Sequence, residues 1–169
     1  MDYRFPTIND EGIISDYIKE HYDNNEMEIH ASNDVSQMSY CDWIDKIEKN
    51  RIESDKIWGK SLIYLAFNNN NKLIGMISIR YELSEEMRMI YGNIGYGVRP
   101  TERKKGYATE MLKFALDVCK RKGIGKVIMG CYKDNIGSSK TIEKNGGIKI
   151  KEKDFNGKLA NYYEIDLGI

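Results

Sequence analysis

Apolar and polar positions along the chain change their period several times, and each change marks an element. Asp2 to Phe5 reads as a short first strand, and Pro6-Thr7-Ile8-Asn9-Asp10 as a turn. Ile13, Ile14, Tyr17 and Ile18 then recur at helical spacing, which predicts a helix running to His21. Asp23 to Gln37 is polar and without period. Ser39 stands as the N-cap of a second helix, with Tyr40, Trp43, Ile44 and Ile47 on one face. Ser61 to Phe67 (SLIYLAF) is a continuous apolar strand. After a turn of four Asn, Lys72 to Tyr81 (KLIGMISIRY) returns as its antiparallel partner. Leu83 to Met89 reads as a charged connection.

The second half opens on the most informative stretch, Asn93 to Thr109 (NIGYGVRPTERKKGYAT). Ile94, Tyr96 and Val98 alternate with Gly95, Gly97 and Arg99, a strand pattern that Pro100 ends. A helix follows from Tyr107 to Lys122, with Met111, Leu112, Ala115, Leu116 and Cys119 inward and Gly123 as its stop. Lys126 to Tyr132 (KVIMGCY) is a strand read as parallel to Ile94–Val98, because a helix crosses between them. Asn135 to Asn145 is a further helix ended by Gly146-Gly147. Ile148 to Phe155 and Leu159 to Leu167 close the chain as a hairpin about Asn156-Gly157.

Between the strand and the helix lies Arg103-Lys104-Lys105-Gly106-Tyr107-Ala108. A helix N-terminus offers free N–H donors and the positive end of the macrodipole. Gly106 and Ala108 let an anion approach the backbone, and the three cations add charge-assisted contacts. The residues by themselves support a pyrophosphate site or an ordinary basic turn before a surface helix. Two further phosphate motifs fail. Gly59-Lys60-Ser61 has Ser54 where a Walker A loop needs glycine, and Gly95-x-Gly97 lies inside a strand, with Pro100 where a dinucleotide fingerprint needs its third glycine.

Composition narrows the partners. Lys plus Arg equals Asp plus Glu at 26 each, so no overall field attracts nucleic acid or an anionic membrane, and the basic run Arg99 to Lys105 is a local patch interrupted by Glu102. That run also permits a nucleic-acid reading, which neutral net charge and the lack of a stacking platform oppose. Three cysteines, Cys41, Cys119 and Cys131, form no CxxC pair, which fits a reducing cytoplasm. No apolar leader and no window of about 18 apolar residues are present, so a soluble, unprocessed chain is expected. Two histidines, His21 and His30, without ligand spacing argue for chemistry without a metal.

The segment Arg103-x-x-Gly106-x-Ala108, preceded by a strand ending in Val98-x-Pro100, resembles the acetyl-CoA signature of the GCN5-related N-acetyltransferase (GNAT) family. Asn135, Ser138 and the run Glu143-Lys144-Asn145-Gly146-Gly147 extend the resemblance in the family's order, over about residues 62–167. The layout is similar to that of small bacterial members. The resemblance implies an α+β (mixed α/β) GNAT fold: a central mixed sheet of six to seven strands and about four helices in a three-layer α/β/α sandwich, one domain over residues 1–169. It further implies acetyl-CoA as cosubstrate, held in the gap between two splaying strands, and an amine acceptor on a small molecule or peptide. The first two helices and the loop Asp23 to Gln37 would form the acceptor wall. No nucleic acid, membrane or metal is expected as a partner, and the protein would be a monomer or homodimer.

The same resemblance assigns residues. Tyr96 and Val98 contact the acetyl and pantetheine arms through their backbone, with an N–H near Tyr96 polarising the thioester carbonyl. Arg103, Lys104, Lys105, Gly106, Tyr107, Ala108 and Thr109 hold the pyrophosphate. Asn135, Ser138 and Ser139 contact the cofactor arm. Many members carry a Tyr seven positions after the Asn to protonate the leaving thiolate, whereas this chain has Ile142. A thiol of pKa about 8.5 tolerates that loss, and Tyr96 and Tyr132 are the substitutes. An alkylammonium of pKa about 10 must lose a proton; Glu82, Glu85 and His30 are the candidate acceptors, each also readable as a solvated surface residue. Cys131 invites an acetyl-cysteine intermediate but reads as core, so direct transfer in a ternary complex is expected. Ile142 also leaves open a non-catalytic CoA-binding or sensor protein on the same fold.

Overall fold

The computed structural model describes residues 1–32 and 34–169; Asn33, inside the polar stretch after the first helix, lies outside the described residues. In chain order the elements are β1 (Asp2–Arg4), α1 (Glu11–Asp23), α2 (Tyr40–Ile52), β2 (Lys60–Phe67), β3 (Leu73–Tyr81), α3 (Glu85–Tyr91), β4 (Ile94–Val98), α4 (Tyr107–Arg121), β5 (Lys126–Tyr132), α5 (Ile136–Lys144), β6 (Ile148–Phe155) and β7 (Lys158–Asp166). Short 3-10 turns lie at Ile8–Asp10 and Pro100–Glu102. The result is a mixed α/β fold with a central sheet flanked by helices.

Helices cover both faces of that sheet. Leu62, Ala66, Ile77, Ile79, Ile94 and Val98 pack with Met111, Leu112, Ala115 and Leu116 of α4 and Ile142 of α5. On the other face Ile63, Leu65, Phe67 and Met76 meet Ile14 and Tyr17 of α1 and Trp43, Ile44 and Ile47 of α2. With both faces covered, β3 is buried at nearly every position, which is why its sequence is a continuous apolar run and not an alternation. Each such buried aliphatic side chain contributes about 2 kcal/mol. The gain is concentrated on the strand that carries β4.

Hydrogen bonding divides the sheet into two ladders, β1-β2-β3-β4 and β5-β7-β6, each antiparallel at every pairing. β4 and β5 share no ladder, so β5 takes its register from β7 and not from the strand across the gap. The hairpin turn at Asn156-Gly157 has both residues at positive φ, 53° and 80°, the geometry that dipeptide favours.

One element departs from the sequence reading. The connection expected after β3 contains the helix α3, capped by the Ser84 hydroxyl, which accepts the Met87 N–H at 3.2 Å. Glu85 and Glu86 sit in its first turn, and none of its residues is buried. A seven-residue helix whose residues are at most half-buried leaves too short an apolar period to read.

Candidate active site

Asn93, just before β4, is where the two ladders meet. Its N–H donates to the Ile128 carbonyl at 2.7 Å, and its side-chain Oδ1 accepts the Ile128 N–H at 2.9 Å. Its Nδ2 donates to the Arg80 carbonyl at 3.2 Å, which ties β3 into the same joint. Beyond it the strands part. The Arg80 N–H to Asn93 carbonyl and Arg99 N–H to Ile74 carbonyl bonds, both 2.7 Å, set the parity of the β3–β4 ladder. Antiparallel strands direct alternate residues to alternate sides, so the N–H and C=O groups of Ile94, Tyr96 and Val98 face the gap.

A cavity of about 350 Å³ fills that gap. Its walls come from β4 (Ile94, Gly95, Tyr96), β5 (Met129 to Tyr132), α5 (Asn135, Ser138, Ile142) and the hairpin (Phe155, Ala160, Tyr162), with Glu28 and His30 arriving from the loop after α1. The size suits the reactive end of a ligand. Gly97 makes the loop's approach possible: a Cβ there would stand 2.8 Å from the Tyr17 hydroxyl and 3.1 Å from the His30 carbonyl.

The cavity's titratable groups differ in state. The Tyr96 hydroxyl reaches Ser138 Oγ at 3.4 Å, and burial raises its pKa above the ordinary tyrosine value. Tyr132 is raised as well, first by burial and then by the nearby Glu28 and Asp134 carboxylates. Both phenols therefore hold their protons at neutral pH. Burial also pushes the Cys131 thiol up, and its Sγ lies 3.4 Å from Ser139 Oγ. A protonated, hydrogen-bonded thiol is a poor nucleophile.

At the far end of β4, Gly106 starts α4 with φ 86° and ψ −6°, a left-handed conformation. Nothing lies within 4 Å of a Cβ built there, so backbone conformation, more than clearance for an anion, is what requires glycine. Thr109 and Glu110 N–H groups return to the Gly106 carbonyl at 3.1 and 3.2 Å. The N–H groups of Tyr107 and Ala108 come too early for an intrahelical acceptor and have no backbone partner among the described residues.

The cations of the loop are less free than the sequence suggests. The Arg103 guanidinium makes a two-pronged pair with Glu26, at 2.5 and 2.7 Å, and its Nε donates to the Val98 carbonyl at 3.1 Å. Lys105 and Lys72 share Glu102, at 2.9 and 2.7 Å, and Arg99 meets Glu20 at 2.7 Å. Among the described residues, Lys104 has no ion pair, and its positive φ of 61° holds it in the exposed turn. An anion here meets the helix N-terminus and Lys104 first.

Other residues singled out in the sequence fall in and out of the cavity. Tyr96, Tyr132, Asn135, Ser138 and His30 line it. Asn135 caps α5 by accepting the Ser138 N–H at 3.1 Å, which commits its Oδ1 to the helix. Ser139 is buried beside Cys131 and is not part of the lining. Glu82 is not in the lining either: it is at the surface, paired with Lys60 at 3.1 Å. Glu85 pairs with Arg88 at 2.8 Å within α3. Glu28, Arg80 and Asn93 are the functional candidates that local sequence patterns did not single out. No residue spacing marks them, because their neighbours come from distant strands. No group of His, Cys, Asp and Glu suited to a metal ion occurs among the described residues, and no described helix is long and apolar enough to cross a membrane.

A gap between splayed strands, an exposed strand edge and a glycine-started helix lie together on one side of the molecule. The chain matches the family model described as acetyltransferase (GNAT) domain over residues 8–148. It belongs to that family. No curated protein matches its sequence. Among solved structures it resembles the ribosomal-protein-S5-alanine acetyltransferase of Vibrio fischeri, with TM-score 0.75 and 15% identity over 98% of this chain and 92% of that one. It also resembles yncA of Salmonella typhimurium, solved with its cofactor acetyl-CoA, with TM-score 0.67 and 16% identity over 98% and 93% of the chains. A third likeness is to a mutant of the spermidine/spermine N-acetyltransferase SpeG from Vibrio cholerae, with TM-score 0.65 and 14% identity over 98% and 93%. At these identities the likeness shows the shared fold.

Proposed function

We propose that this protein is an acetyl-CoA-dependent N-acetyltransferase, passing the acetyl group directly to an amine of a small molecule or peptide in a ternary complex. One observation carries the reading: the backbone edge of β4 that faces away from β3 lines the cavity at Ile94 to Tyr96 and leads on, past the Val98 carbonyl held by Arg103, towards the start of α4. An extended pantetheine arm can pair with such an edge as an added strand, and a pyrophosphate suits the helix N-terminus. The proposal takes residues 1–169 as one domain working in a reducing cytoplasm, as monomer or homodimer.

The chain's own groups have separable tasks. The Tyr96 N–H faces the gap and is positioned to donate to the thioester carbonyl as charge develops on its oxygen. Ile142 is buried where many relatives have a tyrosine, yet the Tyr96 phenol reaches Ser138, one helical turn away on the same face of α5. That makes Tyr96 the preferred donor to the departing thiolate, with Tyr132 second. Glu28 and His30 line the cavity from the loop taken here as the acceptor wall, where a carboxylate or imidazole can take the amine's proton, directly or through water. Glu82 lies outside the lining, paired with Lys60, and is not taken as the base in this reading. The raised Cys131 thiol favours direct transfer over an acetyl-cysteine intermediate.

Calorimetric titration with acetyl-CoA, wild type beside Gly106→Asp, tests the reading. Micromolar binding lost in the variant, followed by thiol release with an amine panel, supports it. Failure of the folded wild type to bind acetyl-CoA refutes it. Binding without turnover on any amine favours the second reading, a CoA-binding sensor, for which buried Ile142 is the motivating observation.

A further inference from the structure

Arg80 is the unusual cation of this molecule. Arg4, Arg88, Arg99 and Arg103 each meet a carboxylate at 2.5 to 2.8 Å. Arg80, on β3 next to the joint at Asn93, meets none among the described residues. Its Nε donates to the Gly92 carbonyl at 3.1 Å and one Nη2 hydrogen to the Tyr91 carbonyl at 3.0 Å. Those bonds hold the guanidinium against the cavity wall, above Gly95, where an added Cβ would come within 3.7 Å of Nη2. Among the described residues its Nη1 has no hydrogen-bond partner, and it is not a buried unsatisfied atom, so it stays accessible to solvent or a ligand. The residue is half-buried, and partial burial with no neighbouring carboxylate lowers its proton affinity.

The opposite charge is present in the same cavity but apart from it. Glu28 lines the cavity from the loop after α1, close enough to Tyr132 to act on its phenol, and forms no ion pair with Arg80. A cavity that keeps a cation and a carboxylate apart is complementary to a ligand carrying both charges. A polyamine would bring a second positive charge towards Arg80 and gain nothing from it.

Resting on the acetyltransferase reading, we infer that the acceptor is a primary amine bearing a carboxylate, an amino acid, whose carboxylate pairs with Arg80 while its amine faces Glu28. The planar fork of the guanidinium suits two-pronged carboxylate recognition. The rings of Tyr91, Tyr132 and Tyr162 leave an apolar wall for the side chain.

Two measurements test this. The first is thiol release from acetyl-CoA with matched acceptors: phenylalanine against phenethylamine, methionine against its decarboxylated amine, and spermidine. The wild type is expected to prefer the carboxylate of each pair by at least about tenfold in kcat/KM, the worth of one charge-assisted pair. Arg80→Gln should erase the preference through KM, with acetyl-CoA affinity unchanged, and Arg80→Lys should restore part of it. Equal or better use of amines without a carboxylate, or an unchanged Arg80→Gln, overturns the inference. The second is calorimetry of N-acetylphenylalanine against N-acetylphenethylamine without acetyl-CoA, which needs no turnover. Tighter binding of the carboxylate to wild type, lost in Arg80→Gln, supports the inference, and no difference overturns it. Loss of acetyl-CoA binding alone would refute the acetyltransferase reading, while the product titration would still decide the role of Arg80.

Discussion

Asn93 and Ile128 exchange two hydrogen bonds, N–H to carbonyl at 2.7 Å and N–H to Oδ1 at 2.9 Å, and join the two ladders at the root of the cleft. A side-chain amide here completes a pairing that a continuous sheet would make with backbone. It lets β4 and β5 start together and then separate. Each lies in a stretch the sequence marks, Asn93 at the head of the signature strand and Ile128 within β5, but nothing local pairs the two.

Replacing Asn93 with Ala leaves the buried Ile128 N–H and the Arg80 carbonyl without their partner. The expected loss is about 2 kcal/mol of folding stability, the usual cost of an unsatisfied buried polar group. Urea unfolding measures it, and acetyl-CoA affinity should fall with it as the cleft loses its anchor. A variant of unchanged midpoint would remove this joint from the account of the fold.

Gly106→Ala places a side chain in open space but on a left-handed backbone. The strain is about 1–2 kcal/mol, and relief by rotation of that peptide would turn the first N–H groups of α4 away from an anion. Acetyl-CoA affinity is therefore expected to drop even though no atom blocks the site. An Ala variant that binds as tightly as wild type would show that these N–H groups do not hold the pyrophosphate.

Tyr96→Phe keeps the backbone edge and removes only the hydroxyl that reaches Ser138. We expect acetyl-CoA affinity within about twofold and a kcat about tenfold to a hundredfold lower, the scale of a lost general acid acting on a good leaving group. Tyr132→Phe should cost less, and Glu82→Gln should leave kcat unchanged because Glu82 pairs with Lys60 outside the cavity. Steady-state kinetics of the three variants, with Glu28→Gln beside them, separates these roles.

Acid should loosen the loop that brings Glu28 and His30 to the cavity. Glu26 is held at about 2 against an ordinary 4.5, chiefly by the hydrogen bonds from Arg103. His21, whose Nδ1 lies 2.8 Å from Glu26, is lowered below 6.5, chiefly by burial. In both cases the unfolded chain binds more protons, so stability rises with pH across the affected window. Stability should therefore start to fall as pH drops below about 6.5 and fall further from about 4.5 towards 2. Asp10, also held at about 2 by Arg4, adds to the lower limb. Thermal unfolding of Glu26→Gln against wild type should show a shallower lower limb; curves that stay parallel would refute the assignment.

Much of the fold was legible because its elements announce themselves locally. Apolar faces at Ile14 and Tyr17, at Trp43, Ile44 and Ile47, and at Met111 to Cys119 repeat at helical period, and their burial follows. α3 was not legible: none of its seven residues is fully buried, and only the Ser84 cap marks its start. The glycine-started α4 was readable from Arg103-x-x-Gly106-x-Ala108, but the engagement of Arg103 with Glu26 was not. That pair lies 77 residues apart in the chain, beyond the reach of any local pattern.

The chain alone determined the order of strands and helices apart from α3, the anion-favouring start of α4 and the family resemblance, since each rests on residues within a few positions of one another. Tertiary structure decided which groups meet. It placed Asn93 against Ile128 to open the cleft and brought Glu28 and His30 into the cavity. It sent Glu82 to the surface beside Lys60 and, among the described residues, left Arg80 without a carboxylate partner. Burial, charge pairing and the parity of a strand edge are properties of what surrounds a residue. Those surroundings are supplied by segments far away in the chain, joined only when the two faces of the sheet are covered.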